Sequence, residues 1–249
     1  MTIAAVVFDL YGTLAEVSVD EASTSRWRSL ATKLRRSGVA VDPSGIELRR
    51  RYEDLCATAA AAGRSGRMLP WVFRQILLEV GAEGSREQVT SFAGEFRCAT
   101  TEKLALSDYA PQLLAELRSY GIRLGLLSNT EAIVTRFDLE RLRLGDAFDA
   151  VVLSSEAGTE KPSTDIYRAA LEQLGVGPDE SVMVGDNWST DVEGALRVGM
   201  RALHLDQNVA SGAITFPADR VISVHPDLAS ITGGLRALGL RHGIQEPGR

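Results

Sequence analysis

The 249-residue chain holds only two cysteines and three histidines. Cys56 and Cys98 lie far apart, lack metal-ligand spacing and are too few for a disulfide framework, so they read as free thiols of a reducing compartment. No stretch approaches the roughly 18 consecutive apolar residues of a membrane span, and the first residues lack the basic and apolar regions of a secretory signal. The formal net charge of -6 leaves no broad basic field, which argues against nucleic acid or an anionic membrane as partner. The local cluster Arg49-Arg50-Arg51 reads as a solvated helix face. Internal repeats and low-complexity tracts are also missing. With 45% hydrophobic and 24% charged residues, the expectation is a soluble cytoplasmic protein of one large domain or a domain with a sizeable insertion.

What is present changes texture twice. A strand is expected at residues 3–9. Residues 20–104 then carry almost no strand signal; Ala, Arg, Glu and Leu recur at helical spacing, which predicts helices near 20–37, 43–62, 69–81 and 85–104. From about residue 109 strands and helices alternate. Strands are predicted at 122–127, 150–153, 182–184, 202–205 and 221–224, with helices near 131–143, 162–174, 190–198 and 226–238. This alternation argues for a doubly wound parallel α/β sheet covered on both faces. The expected organisation is an α/β core of residues 1–14 and 105–241, an inserted helical cap of 15–104, and a frayed tail at 242–249. An insertion leaving directly after the first strand is placed to act as a lid that excludes water and selects substrates.

Four strand ends carry reactive side chains. The run Val6-Val7-Phe8 delivers Asp9 to the carboxyl edge of the sheet, and a tight Gly12-Thr13 turn follows. The second strand ends in Ser128-Asn129-Thr130, the third is followed by Glu160-Lys161-Pro162, and the fourth ends Gly185-Asp186-Asn187, with Asp191 close behind. Ligands of open α/β sheets bind at that edge. Each piece alone has a plain explanation: Ser128 as a helix cap, Lys161 as a solvated residue before a helix, Asp186 as a turn residue, Thr190 with Glu193 as a capping box. Their joint occurrence at successive strand ends is not explained that way.

The ordered set Asp9-Leu10-Tyr11-Gly12-Thr13-Leu14, Ser128-Asn129, Lys161-Pro162 and Gly185-Asp186-Asn187-Trp188-Ser189-Thr190-Asp191 resembles the haloacid dehalogenase superfamily, in the branch with a helical cap inserted after the first strand. The resemblance spans nearly the whole chain. It implies that Asp9 is a nucleophile attacking phosphorus, or carbon in dehalogenases. It implies Mg²⁺ held by Asp9, the backbone carbonyl of Tyr11 and Asp186, with Asp191 supporting the metal site and Lys161. Ser128, Asn129, Thr13 and the amides of the turn after Asp9 would bind the substrate, and Lys161 would neutralise charge on nucleophile and phosphate. A divalent cation between a carboxylate and a phosphate dianion offsets their repulsion.

The chain departs from the phosphatase pattern at Tyr11, where the family's phosphatases carry the aspartate that protonates the leaving oxygen. An unperturbed tyrosine has a pKa of about 10 and replaces that acid poorly. Tyr11 is the form found in metal-independent 2-haloacid dehalogenases, whereas Asp186 with Asp191 is the metal-binding, phosphatase form. Three carboxylates crowded together call for a divalent cation, so the favoured expectation is a Mg²⁺-dependent phosphatase acting on a small phosphate ester or other small anionic substrate. A 2-haloacid dehalogenase and a weakly active, ligand-binding relative are the alternatives. A substrate with a good leaving group, such as an acyl or enol phosphate, would need little protonation.

Arg26, Trp27 and Arg28, then Arg64 to Arg67 and Trp71, are arginine–tryptophan neighbours of the cap, read first as ion-paired arginines and core tryptophans. Trp188 is a candidate to line the site. His204, His225 and His242 fall outside the motif set and receive no catalytic role. The oligomeric state is not legible in the sequence.

Overall fold

The computed structural model describes residues 2–63, 68–218 and 220–240. The Arg64–Arg67 cluster, His242 and the tail at 242–249 lie outside them. The chain forms two compact units, one of Met1–Glu16, Ala105–Asn129 and Arg143–Arg249, the other of Val17–Leu104 and Thr130–Leu142.

The first unit is built on a seven-stranded sheet. Its strands are β1 (Ala5–Phe8), β4 (Arg123–Ser128), β5 (Ala150–Leu153), β6 (Ser181–Gly185), β7 (Arg201–Leu205), β8 (Ile214–Ala218) and β9 (Val221–Val224). The order is β5-β4-β1-β6-β7-β9-β8, parallel throughout except for the antiparallel β8·β9 edge pair. All four residues of β1 are buried, as expected of an inner parallel strand covered on both faces. Helices α8 (Thr164–Leu174) and α9 (Glu193–Val198) cover one face, where Ile166, Tyr167, Ala170 and Ala195 meet Val7, Leu127 and Met183. Helices α5 (Ala110–Ser119) and α10 (Leu228–Ala237) pack beside each other against β4, β7 and β9. The chain leaves β1 for β4 and β5 on one side, then crosses to β6 and β7 on the other. The strand order therefore reverses beside β1, the place where open α/β sheets form their ligand crevice.

The second unit is helical: α1 (Thr24–Arg36), α2 (Ile46–Ala61), α3 (Met68–Glu79), α4 (Arg86–Thr100) and α6 (Ala132–Arg141). Its centre is aromatic. Trp27 and Tyr52 have ring centroids 5.1 Å apart, and Phe73 lies 4.8 Å from Phe92 and 5.1 Å from Phe96. The polar ends are satisfied: the Trp27 indole donates to the Glu21 carbonyl at 2.7 Å and the Tyr52 hydroxyl to the Glu21 carboxylate at 3.0 Å. Trp27 is thus a core residue, and Arg26 donates to the Ala99 and Thr101 carbonyls and to Glu102. Arg49, Arg50 and Arg51 pair with Glu53, Glu47 and Glu79 on the helix surface. Helix α4 starts with a reciprocal capping box between Ser85 and Gln88. Both cysteines are free, Cys98 exposed and Cys56 partly buried.

The sequence reading misses several elements. Residues 101–104 are not the end of a helix: Thr101–Leu106 forms β3, paired with β2 (Ala15–Val19) in a separate two-stranded sheet. Helix α5 and strand β8 were not predicted. The expected helix at 190–198 opens as a π-turn over Trp188–Val192, capped by Asn187, whose side chain accepts from the Thr190 amide at 3.1 Å, so Thr190 and Glu193 form no capping box at its start. The predicted helix at 131–143, assigned to the alternating core, clusters with the helical unit instead. Its Val134, Ile133 and Phe137 pack into the core of the helical unit, and Arg97 of α4 donates to the fully inaccessible Asp138 of α6 at 2.9 and 2.6 Å. No described helix is long and apolar enough to cross a membrane.

Candidate active site

The strand register brings the motif residues together. Phe8 lies opposite Leu126 of β4 and Val184 of β6, and the Asp9 amide donates to the Val184 carbonyl at 3.0 Å. Asp9 therefore leaves the sheet at the level where β4 ends in Ser128 and β6 ends in Gly185. After Asp9 the chain turns at once: Leu14 and Ala15 donate to the Leu10 carbonyl, and Gly12 donates to Ala15. The Ser107 hydroxyl, at 2.9 Å, and the Tyr109 hydroxyl both donate to the Thr13 carbonyl, which pins the turn from outside. Burial pushes the Tyr109 phenol up to about 12, so it stays a donor at neutral pH.

Gly12 is required in this turn. Its φ is +87°, and a β-carbon placed there would lie 2.5 Å from Asp186 Oδ2. Gly12→Ala is expected to lower stability by about 1–2 kcal/mol from the left-handed backbone alone. It should also displace the Asp186 carboxylate. A lowered urea midpoint at unchanged m-value is the measurement that checks the first effect.

Lys161 is the hub of the site. Its ammonium is 4% exposed by residue and donates to Asp9 Oδ1 at 2.7 Å and Asp191 Oδ1 at 2.6 Å. The other Asp191 oxygen accepts from the Asn187 amide at 3.0 Å, so Asp191 braces both the lysine and the turn after β6. The Lys161 backbone is clasped by a single side chain: Asn129 Oδ1 accepts from its amide at 2.7 Å, and Asn129 Nδ2 donates to its carbonyl at 2.9 Å. The Lys161–Pro162 peptide bond is cis. Thr13 Oγ1 donates to Asp186 Oδ1 at 3.2 Å, and Ser128 is buried at the end of β4.

One oxygen each of Asp9, Asp186 and Asp191 lies within 4.8 Å of the others. Burial pushes the Asp9 carboxyl above the usual carboxylate range; Lys161 pulls against this and the Asp191 charge adds to it. Asp186 is raised as well, by desolvation and then by the Asp9 charge, although its residue surface faces solvent. Burial works against the Lys161 ammonium, yet Asp9 and Asp191 outweigh it and hold its pKa above the ordinary value. One ammonium thus faces three carboxylates. Such a hard-oxygen set with an excess of negative charge fits Mg²⁺ and comparable divalent cations.

The motif residues Asp9, Thr13, Ser128, Asn129, Lys161, Asp186 and Asp191 fall at this one sheet edge, and Tyr11 lies in the turn after Asp9, bridged to Ala15. His204, given no catalytic role from the sequence, has its Nε2 3.1 Å from the Asp186 backbone oxygen. No motif spacing marks it; it is the fourth residue of β7.

This fold and constellation define a class, and the comparison with known proteins agrees: the chain belongs to the haloacid dehalogenase-like hydrolases, whose family model matches residues 3–199. It is 37% identical over 152 residues to a phosphoserine phosphatase of Thermus thermophilus, a match covering 60% of this chain and 59% of that relative. It is 31% identical over 201 residues to a glyceraldehyde 3-phosphate phosphatase of Methanopyrus kandleri, covering 80% of this chain and 82% of that one. The first of these relatives is thus matched over less than two thirds of its length. In fold, it resembles the crystal structure of a 2-haloacid dehalogenase from Pseudomonas syringae, with a TM-score of 0.66 and 22% identity over 95% of this chain and 99% of that one.

Proposed function

We propose that the chain is a Mg²⁺-dependent phosphatase of small phosphorylated compounds, with Asp9 as nucleophile. The observation that carries this reading is the cluster of three carboxylates, Asp9, Asp186 and Asp191, the first and last of them paired with Lys161. A dehalogenase working on an anionic haloacid without metal gains nothing from the extra anion at 186. The names of the relatives, phosphoserine and glyceraldehyde 3-phosphate phosphatases, support the same substrate class.

In this reading Asp9, Asp186 and the Tyr11 carbonyl hold the cation, which when bound offsets the repulsion between carboxylate and phosphate dianion. Ser128 and Lys161 hold the phosphoryl oxygens. The Asp9 carboxylate forms a bond to phosphorus as the bond to the leaving oxygen breaks; that oxygen departs with the bonding electrons and takes its proton from water. A second water then attacks the aspartyl phosphate, releasing inorganic phosphate and restoring Asp9. Lys161 enters the reaction as an ammonium, because the Asp9 and Asp191 carboxylates hold its pKa above the ordinary value.

Hydrolysis of p-nitrophenyl phosphate with Mg²⁺ and with EDTA tests the reading: turnover should vanish with chelator and return with Mg²⁺. The same cation is expected to raise Tm by about 5–10 °C at a hundred times its Kd. Asp186→Asn should lose that increment. In metal-free protein at neutral pH the variant should melt about 1–2 °C higher, a small gain because Asp186 is solvent-facing and screened. The sign follows from the raised Asp186 pKa: the unfavourable charge exists above the folded pKa and disappears below the ordinary carboxylate range, so the gain should shrink toward zero as pH falls to about 3–4.

Tyr11 favours one second reading, halide displacement from a 2-haloacid. Release of chloride from 2-chloropropionate in EDTA, with no phosphate turnover under any condition, would replace the first reading with this one.

A further inference from the structure

We propose that Trp188 is a specificity-determining platform for a flat, conjugated group carrying the phosphate, and that His204 is the residue that positions it. The proposal rests on the phosphatase reading above and narrows its substrate class to aryl and enol phosphates.

Trp188 follows Asp186 by two residues and opens the π-turn after β6. Its relative exposure is 37%, and among the described residues it is the one aromatic side chain with the exposed large hydrophobics, the others being Val19, Ile46 and Leu78. A partly exposed indole two residues beyond the proposed metal ligand Asp186 is an unusual use of a tryptophan, whose large apolar surface is normally covered.

The ring is held rather than loose. The His204 imidazole meets it edge-on, with centroids 5.4 Å apart and planes at 88°. His204 is in turn fixed at both nitrogens, Nδ1 at 3.2 Å from Ser223 Oγ and Nε2 at 3.1 Å from the Asp186 carbonyl oxygen. A carbonyl only accepts, so Nε2 donates to it, and the Ser223 hydroxyl is the partner of Nδ1. One imidazole thereby ties β9, the Asp186 backbone and the indole into a single assembly. The orientation of the indole is set by the same residue that fixes the backbone of the proposed metal ligand.

Position 11 selects the same chemistry independently. With tyrosine where an acid would stand, the leaving oxygen departs unassisted. A phenol, near 10 like tyrosine, leaves as a far weaker base than an alkoxide, whose parent lies near the 15.7 of water. Conjugated oxygens are borne on flat groups, and flat groups stack on an indole.

The test separates flatness from leaving-group chemistry. Phenylphosphonate and cyclohexylphosphonate carry the same anion and are not hydrolysed; one ring is flat, the other is not. Calorimetric titration of the full chain in excess Mg²⁺ should show phenylphosphonate binding about 3- to 10-fold tighter, the worth of one aromatic pair. Trp188→Leu should abolish that preference and leave cyclohexylphosphonate affinity within about twofold. His204→Ala should reduce the preference with Trp188 present, and thermal melts of both variants verify that they are folded. Equal affinities in the unaltered protein, or a preference that survives Trp188→Leu, overturn the platform. If neither phosphonate binds and no Mg²⁺-dependent turnover is seen, the phosphatase reading falls, and the platform with it.

Discussion

Asp9→Asn is expected to lower kcat for p-nitrophenyl phosphate by on the order of 10⁴-fold or more without disturbing the fold. The amide keeps an Oδ1 acceptor for the Lys161 ammonium, which now bonds Asp9 at 2.7 Å. Burial already favours the uncharged form of this side chain, and removing its charge relieves the crowding with Asp186 and Asp191. Tm should therefore hold or rise. Because Ser128, Lys161 and the turn amides are unchanged, KM should move far less than kcat. A variant within tenfold of the parent would mean that Asp9 does not form the covalent bond, and quench-trapping of labelled phosphate on the parent enzyme would give an independent answer.

Tyr11→Asp is the second large effect, and it runs in the opposite direction. Restoring a carboxyl at this position should raise kcat/KM for alkyl phosphates such as glycerol phosphate by about 10²- to 10⁴-fold, the usual worth of general acid catalysis. Acetyl phosphate, whose leaving group needs no proton, should change little. The backbone at this position is fixed by the Gly12–Ala15 hydrogen bond and the bridge between Tyr11 and Ala15, so the exchange alters the side chain and not the turn. A plot of log kcat/KM against leaving-group pKa should be steep for the parent and flatter for the variant. Equal gains on both substrate types, or none, would show that position 11 does not control protonation.

Asp9, Ser128 and Asp186 were legible because each closes or directly follows a buried strand. Val6-Val7-Phe8 and Val182-Met183-Val184 are continuous apolar runs, and the polar residue that follows each must lie at the sheet edge. The elements that escaped notice have weaker local signals. Thr101–Leu106 reads Thr-Glu-Lys-Leu-Ala-Leu, a string of good helix formers after a helix, and only its pairing with Ala15–Val19 makes it a strand. That partner is five residues long and mostly solvent-facing, so its alternation is faint. Helix α5 carries a regular apolar stripe and a proline in its first turn, both of them signals legible in the sequence. The assignment of α6 to the helical unit rests on the packing of Val134, Ile133 and Phe137 and on the buried pair of Arg97 with Asp138, which lie 41 residues apart and which no periodicity connects. The place of His204 beside the site is hidden in the sequence for a related reason. Its role comes from where β7 and β9 place it, and strand alternation alone does not distinguish a histidine beside Asp186 from one facing solvent.

The Asn129 clasp has a further consequence. By reading both the N–H and the C=O of Lys161, 32 residues away, one amide fixes the height and the azimuth of the lysine as a rail fixes a carriage. The intervening chain, which includes α6 and β5, is thereby relieved of aligning the ammonium. Insertions, deletions or wholesale replacement of surface loops between residues 130 and 160 can then accumulate with the charge at the centre of the site staying where it is. A drifting lineage could reshape the loops of that stretch, while an exchange at Asn129 itself would unseat the lysine in a single step.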